Sequence, residues 1–126
     1  MSDLSENFNR SEFVCKCGCG RDNISMDLIT KLQRLRNFYG SSLTVNSGCR
    51  CIKHNAEEGG KPDSAHICEG KDGEAVDLQI ISGAQLFKLL DHIFFYKLFN
   101  RVGIGDHLLH LDISKTLPQD VSWIYK

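Results

Sequence analysis

Residues 74–113 decide the fold of this chain, and they read EAVDLQIISGAQLFKLLDHIFFYKLFNRVGIGDHLLHLDI. The β-prone run at residues 74–81 is followed by Ser82, which stands where a helix N-cap belongs. Apolar residues then recur on one helical face until a second β-prone region begins. There, residues 101–104 and 108–113 are separated by a short polar turn, which predicts a β-hairpin. The segment therefore predicts a strand, a helix and two more strands.

The flanking segments extend this pattern. Ser25, another N-cap residue, precedes residues 26–39, where apolar residues recur at helical spacing before a glycine ends the helix. Residues 43–46 and 121–125 are short and β-prone. Residues 47–72 are crowded with Gly, Cys, His, Lys and Asp and have no sustained period, which is typical of a functional loop. The order of elements favours an α+β fold, with a small, mainly antiparallel sheet and helices packed on one face.

Composition predicts one domain. The chain has 126 residues, of which 41% are hydrophobic, enough for one core but hardly for two. The net charge of -1 and the lack of a basic stripe argue against a nucleic-acid partner. No apolar run could cross a membrane, and residues 1–10 are polar, so we expect neither a membrane span nor a signal peptide. We expect a single domain over residues 1–126, with an N-terminal cysteine-rich flap at residues 1–24 and a core at residues 25–126.

The cysteines allow several interpretations. Those nearest the N-terminus alternate with single residues, so they are poorly spaced to pair with one another. They also lack the two-residue gap of a zinc knuckle, and the sequence shows no obvious fourth ligand for them. We therefore interpret that segment as a structural flap. Free thiols, disulfides and a second metal site all stay open for the six cysteines: Cys15, Cys17, Cys19, Cys49, Cys51 and Cys68.

Two histidines and an aspartate are candidates for a metal site. His66 lies in a polar loop, Asp77 enters a strand, and His110 lies on another strand, so the three can converge at one end of a sheet. Two imidazoles and one carboxylate are the ligands of many catalytic zinc sites, where a water molecule takes the fourth position. Each residue taken alone is more often a structural polar group, so the spacing by itself is a weak signal.

A resemblance to a known family strengthens this interpretation. The ordered motifs NSGCRC, HN, GG, SAH, GEAVD and HLD resemble the M15 zinc peptidases, in particular the small D-Ala-D-Ala carboxypeptidase-like members found in phages and bacteria. FNRSEFVC, CGCG and KLQRLRNFYG extend the resemblance over residues 8–113. It implies a Hedgehog/DD-peptidase-like fold whose catalytic core spans residues 25–126. It also implies one catalytic zinc ion, Zn2+, with three protein ligands: His66, Asp77 and His110.

The resemblance implies further roles at the site. Arg50, in SGCR, matches a residue that grips the substrate and assists catalysis, which suits the planar fork of a guanidinium. Ser64 is expected at the rim, where it binds substrate or orients a ligand, although a loop-capping role fits a serine there equally. Asp112 shares a strand face with His110, so we expect its carboxylate to accept an imidazole N–H.

The chain departs from the family pattern in two places. His66 and Asp77 lie eleven positions apart because four residues have been added within residues 67–72. Such an insertion keeps the site intact if it bulges into solvent, and otherwise it reshapes the cleft. The family also places a Glu or His shortly before the last zinc histidine as the general base. His107 is our candidate for this base, and Asp106 is the alternative.

The sequence thus predicts a zinc-dependent metallopeptidase that hydrolyses peptidoglycan stem peptides. It acts either as a D-Ala-D-Ala carboxypeptidase or as an L-Ala–D-Glu endopeptidase. The alternative is a non-catalytic, zinc-containing binding or phage assembly module of the same fold. We expect a monomer that is cytoplasmic, or phage-encoded and acting on the cell wall after release or delivery.

Overall fold

The computed structural model describes residues 2–125 and confirms an α+β fold. The elements in that range are a 3-10 helix (Arg10–Phe13), α1 (Met26–Tyr39), β1 (Val45–Ser47), α2 (Ile52–Glu57), β2 (Ala75–Gln79), α3 (Gly83–Tyr96), β3 (Arg101–Ile104), β4 (Leu108–Asp112) and β5 (Val121–Ile124). The strands form a five-stranded sheet of order β1-β2-β4-β3-β5, and its pairs are antiparallel except for β3 with β5. No helix in the described part of the chain is long and apolar enough to cross a membrane.

Helix α1 begins and ends where the sequence predicts, and α3 begins where it predicts. The Ser25 hydroxyl accepts a hydrogen bond from the Leu28 N–H at the start of α1, and Gly40 ends this helix in the left-handed conformation at φ 79°. The Ser82 hydroxyl caps α3 in the same way, because it accepts from the Gln85 N–H at 3.1 Å. Both helices bury apolar faces in one hydrophobic core.

Strand alternation gives the sheet two different faces. Val76 and Leu78 of β2 and Leu109 and Leu111 of β4 are fully buried in the same core as the helices. The residues between them point to the other face, because successive strand side chains alternate. Asp77 of β2 and two polar residues of β4 therefore lie together on the face that does not carry α1 and α3.

The segment predicted to be an irregular loop contains a short helix. Helix α2 has only six residues, too few to show a helical period in the sequence. It begins after Cys51, whose sulfur accepts a hydrogen bond from the His54 N–H at 3.4 Å. Strand β1 also starts later than predicted, at Val45 rather than residue 43, and its pairing with β2 is irregular.

The N-terminal segment is packed on the core. Phe8 and Phe13 are fully buried and contact each other edge to face. The Phe13 carbonyl accepts a hydrogen bond from the Cys49 N–H at 2.8 Å, which ties the segment to the chain after β1. Gly48 lies so close that a Cβ there would be 2.8 Å from the Phe13 Cα, so only glycine permits this approach.

Candidate metal centre

Three residues predicted as metal ligands converge on the helix-free face of the sheet. Asp77 and His110 are direct partners in the β2–β4 register, and His66 approaches from the loop before β2. The Asp77 Oδ1 atom lies 2.9 Å from His110 Nδ1 and 3.2 Å from His66 Nε2. All three side chains are buried, and one potential ligand atom from each lies within 4.8 Å of the others.

The hydrogen bonds of His66 show that the trio suits a cation. The Nδ1 atom of His66 lies 2.8 Å from the Gly48 carbonyl, so Nδ1 carries the proton and donates it. The Nε2 atom then presents a lone pair to the Asp77 carboxylate, and it is buried without a hydrogen-bond partner. A buried lone pair beside a carboxylate oxygen is unfavourable unless a positive ion lies between them. The donor set therefore fits a metal ion.

His110 is oriented by a second carboxylate. Its Nε2–H donates to Asp112 Oδ2 at 2.7 Å, which turns Nδ1 toward Asp77. Arg101 Nε and the Ser114 N–H both donate to the other Asp112 oxygen, at 2.8 and 3.1 Å, and they hold that carboxylate in place. The contact predicted between Asp112 and an imidazole N–H is thus present in the structure.

Burial and charge act against each other on the pKa values of the trio. Burial lowers the pKa of His66, so its imidazole is neutral. Burial also opposes a charge on His110, but hydrogen bonds to Asp112 and Asp77 outweigh it and raise the His110 pKa. Burial opposes the charge on Asp77 too, but the two imidazoles hold the pKa of this carboxyl well below its usual value. Without metal, a proton on His110 Nδ1 therefore neutralises the ionised Asp77.

Arg50 lies beside the trio. Its Nη2 atom donates to Asp77 Oδ2 at 3.3 Å, while Nε and Nη1 reach Ser47 and Asn55 at 3.1 and 3.5 Å. A guanidinium has five N–H groups, so these contacts leave some free for another ligand. The Arg50 side chain is 15% exposed.

The other predicted site residues lie farther out. The Ser64 hydroxyl accepts a hydrogen bond from the His66 N–H at 3.2 Å, so it shapes the loop that carries this ligand. Asp106 and His107 are exposed in the turn between β3 and β4. Among the described residues, no hydrogen bond joins the side chain of either one to the trio. The structure therefore brings Arg50 and Asp112 to the trio but leaves the two candidate bases at the hairpin turn.

Two aromatic residues near the site were missed by the sequence analysis. The Trp123 ring of β5 lies 5.4 Å from the His110 ring, between their centroids, and it packs over Gly103 of β3. The Tyr125 ring lies beside Gly103 and contacts the Trp123 ring edge to face, 6.1 Å between centroids, and burial raises the pKa of its hydroxyl. Only the parallel pairing of β5 with β3 brings them here, and sequence patterns do not reveal that pairing.

The insertion between His66 and Asp77 turns away from the site. Ile67 and Cys68 are buried, but residues 70–72 are exposed and Gly70 has a φ of 83°. The carboxylate of Glu69 accepts a hydrogen bond from the Ile52 N–H at 3.0 Å, at the start of α2. Residues 70–72 of the insertion therefore bulge into solvent, whereas Ile67 and Cys68 stay buried.

The cysteines divide into two groups, and all six are free thiols. Cys49 and Cys68 are buried in the hydrophobic core. The other four have converging sulfurs, and we call them the cysteine cluster: Cys15, Cys17, Cys19 and Cys51. Cys51 is the fourth member that the sequence analysis did not find, because it lies more than thirty positions from the others.

In this small α+β domain, two imidazoles and a carboxylate converge beside an arginine. This arrangement is typical of a metal-dependent hydrolase. The protein-family model described as Peptidase M15 matches residues 6–114. The chain therefore belongs to the peptidase M15 family, whose members are metal-dependent peptidases. No curated protein matches the chain.

Proposed function

We propose that this chain is a zinc-dependent peptidase that hydrolyses peptide bonds in peptidoglycan stem peptides. The observation that carries the proposal is the unpaired His66 Nε2 atom, buried 3.2 Å from Asp77 Oδ1 and close to His110. Two imidazole nitrogens favour zinc over magnesium or calcium, which prefer oxygen ligands. In this proposal the zinc ligands are His66 Nε2, Asp77 Oδ1 and His110 Nδ1.

The ligand set and its surroundings suit hydrolysis. Zinc bound by three protein ligands lowers the pKa of a water molecule and polarises a carbonyl group, which is the chemistry that peptide hydrolysis needs. Asp112 keeps the proton of His110 on Nε2, so that Nδ1 is available as a ligand. Arg101 in turn holds Asp112 in place through an ion pair. Asp112 and Arg101 thus keep the His110 proton on Nε2, and metal binding through Nδ1 depends on this tautomer.

We assign substrate binding to Arg50 and Ser64. Arg50 is held by Ser47, Asn55 and Asp77, so little conformational entropy is lost when its free N–H groups bind a ligand. A guanidinium binds a carboxylate through paired hydrogen bonds, and a stem peptide ends in a carboxylate. Such a contact favours the carboxypeptidase reaction at a D-Ala-D-Ala terminus, and the L-Ala–D-Glu endopeptidase reaction is the alternative.

We further propose His107 as the group that carries the proton between water and the leaving amine, with Asp106 as the alternative. Both are exposed in the turn that precedes the strand carrying His110. Tyr125 is a hydrogen-bond donor in this scheme, because a tyrosine hydroxyl is protonated at neutral pH. The enzyme acts on the cell wall after release or delivery.

A peptide digestion tests this function. Purified protein loaded with zinc is incubated with a stem pentapeptide ending in D-Ala-D-Ala and with a peptide that contains an L-Ala–D-Glu bond, and mass spectrometry identifies the products. We expect cleavage of one of the two, loss of cleavage in His66→Ala, and full cleavage in the control His54→Ala. Comparison of His107→Ala with Asp106→Ala then identifies the proton carrier, since the larger fall in kcat marks it.

A second outcome distinguishes the alternative function. If the protein binds zinc and stem peptides but releases no product, it is a binding or assembly module that retains the fold. Equal cleavage by His66→Ala and the parent protein contradicts the proposed metal centre itself.

A further inference from the structure

Four cysteine sulfurs from two distant segments meet outside the metal centre. The Sγ atoms of Cys15 and Cys17 lie 3.5 Å apart, and those of Cys17 and Cys51 lie 3.7 Å apart. All four sulfurs of the cysteine cluster, including Cys19, lie within 4.8 Å of one another. Zinc–sulfur bonds of about 2.3 Å in a tetrahedron place neighbouring sulfurs about 3.8 Å apart. The cluster therefore has the spacing of a tetrathiolate metal site.

The loop that carries three of the sulfurs is bent by glycines. Residues two apart in an extended strand lie roughly 6.5–7 Å apart, too far for their side chains to share one ion easily. Gly18 and Gly20 have φ values of 88° and 85°, which turn the loop back on itself. The Cys15 N–H closes the loop by donating to the Arg21 carbonyl at 2.8 Å. The alternation of Cys and Gly thus gathers the sulfurs on one side.

The fourth sulfur comes from the start of α2. The Cys51 N–H donates to the Cys15 sulfur at 3.4 Å, and the His54 N–H donates to the Cys51 sulfur at the same distance. Backbone N–H groups directed at sulfur stabilise thiolates, which are the form of cysteine that binds metal. Backbone hydrogen bonds therefore favour the thiolate form of Cys15 and Cys51, which lie in different segments of the chain.

Hydrophobic packing does not account for this cluster. Cys49 and Cys68 are buried among apolar side chains, where cysteine behaves as a small apolar residue. Cys17 and Cys19 are exposed, so their positions gain little from burial. Thiols that are exposed and close together oxidise readily unless they are bound.

We propose that Cys15, Cys17, Cys19 and Cys51 bind a second zinc ion in a closed structural site. Four protein ligands leave no open position, so the site stabilises the fold and takes no part in hydrolysis. Thiolates are soft ligands that select zinc over magnesium and calcium, and the thiol protons pass to solvent when zinc binds. The ion joins the N-terminal loop to Cys51, which directly follows Arg50, and so it holds the backbone that carries this substrate-binding residue.

The full-length protein, purified under reducing conditions, tests this site by metal content and by cobalt substitution. We expect about two zinc ions per chain in the parent protein. We expect about one both in the Cys17→Ser/Cys19→Ser variant and in His66→Ala, because each removes one site. Cobalt bound by thiolates has a charge-transfer band in the near ultraviolet, and His66, Asp77 and His110 contain no sulfur to produce it. The band should persist in His66→Ala and disappear in the cysteine variant.

A control and several outcomes make this test decisive. Lys16→Ser changes an exposed residue of the same loop without removing a sulfur, and it should keep both ions and the band. A zinc content that is the same in the Cys17→Ser/Cys19→Ser variant as in the parent protein, or a disulfide within the cluster by mass spectrometry, overturns the proposal. Iron in place of zinc also overturns it. If the cysteine variant does not fold, the cobalt spectrum of the parent protein decides, since the lack of a thiolate band excludes the site.

Discussion

The metal centre and the cysteine cluster are assembled in opposite ways. In the metal centre, Asp77 and His110 face each other across paired strands, and every ligand is buried. In the cysteine cluster, three sulfurs come from one loop and the fourth from the start of α2, and Cys17 and Cys19 are exposed. One site is built by strand register, whereas the other is built by loop turns.

Because of this difference, we expect the geometry of the two sites to depend on a bound ion to different extents. The charges of the metal centre are already balanced, because Arg50 contacts Asp77 and Arg101 contacts Asp112. Two of its three candidate ligands, Asp77 and His110, belong to the sheet, and we expect their geometry to survive removal of a metal. The cysteine cluster has no such scaffold, so we expect its loop to lose order when its ion is removed.

The largest effect should come from removing a proposed ligand of the metal centre. We expect His66→Ala to lose the zinc of this centre and to lower kcat/KM by more than about 100-fold, the upper range for a residue that only supports a ligand. Because the sheet holds Asp77 and His110 in register, we expect the circular dichroism spectrum to remain that of the parent. A variant that keeps zinc at this centre with full activity would falsify the ligand assignment.

Acid should release zinc from the two sites with different steepness. Zinc must displace the proton that the raised pKa places on His110 Nδ1, so affinity at the metal centre is constant above that pKa and falls about tenfold per pH unit below it. In the metal-free protein, the same proton stabilises the fold fully below about pH 6.5, and that contribution is lost as pH rises through the raised pKa.

The cysteine cluster should show a steeper dependence, because several thiols must each lose a proton when zinc binds. The measurement is zinc affinity against pH for His66→Ala and for Cys17→Ser/Cys19→Ser, each of which retains one site. Equal slopes for the two variants would contradict the assignment of one site to imidazoles and the other to thiolates.

The same contrast explains what the sequence could predict. The helix at Met26–Tyr39 was predicted with its observed ends, and the hairpin was predicted nearly so, because local periodicity and caps determine them. The convergence of His66, Asp77 and His110 was also anticipated, since family motifs carry the ligands in order along the chain.

Features that depend on long-range placement could not be predicted. Cys51 was not recognised as the fourth member of the cysteine cluster, because it joins the others only when α2 packs beside the N-terminal loop. Trp123 and Tyr125 reach the metal centre through the parallel pairing of β5 with β3, and nothing in residues 121–125 specifies that partner. Local sequence patterns determine which helices and strands form. The contacts of Cys51, Trp123 and Tyr125 depend instead on how those elements pack together.

A smaller effect should come from the carboxylate that supports His110. Asp112→Asn weakens the hydrogen bond to His110 Nε2 and leaves Arg101 without its ion pair, so we expect zinc affinity at the metal centre to fall roughly 10- to 100-fold. Competition with a chelator measures this affinity, and Asp120→Asn, at an exposed turn, is the matched control. The thiolate-to-cobalt band should not change. A drop in affinity at both sites would show that the substitution acts through general loss of folding.

The smallest effect should come from Gly103, which lies opposite His110 in the β3–β4 register. A Cβ at this position would lie 2.6 Å from Trp123 Nε1 and 2.8 Å from the Tyr125 ring, so Gly103→Ala must displace both aromatic side chains. Such overpacking lowers the free energy of unfolding by about 1–3 kcal/mol, which thermal denaturation measures. Gly83→Ala, at the start of α3 with open space around it, is the control.

We expect the zinc content of Gly103→Ala to equal that of the parent protein, because the ligands are held by β2, β4 and the loop at His66 rather than by the aromatic residues. Peptide cleavage should show a higher KM with little change in kcat, since Trp123 lies beside His110 and neither aromatic residue binds metal in this scheme. Loss of zinc in this variant would mean that β5 helps to hold the metal centre, and the register of two strands would then not suffice to build it.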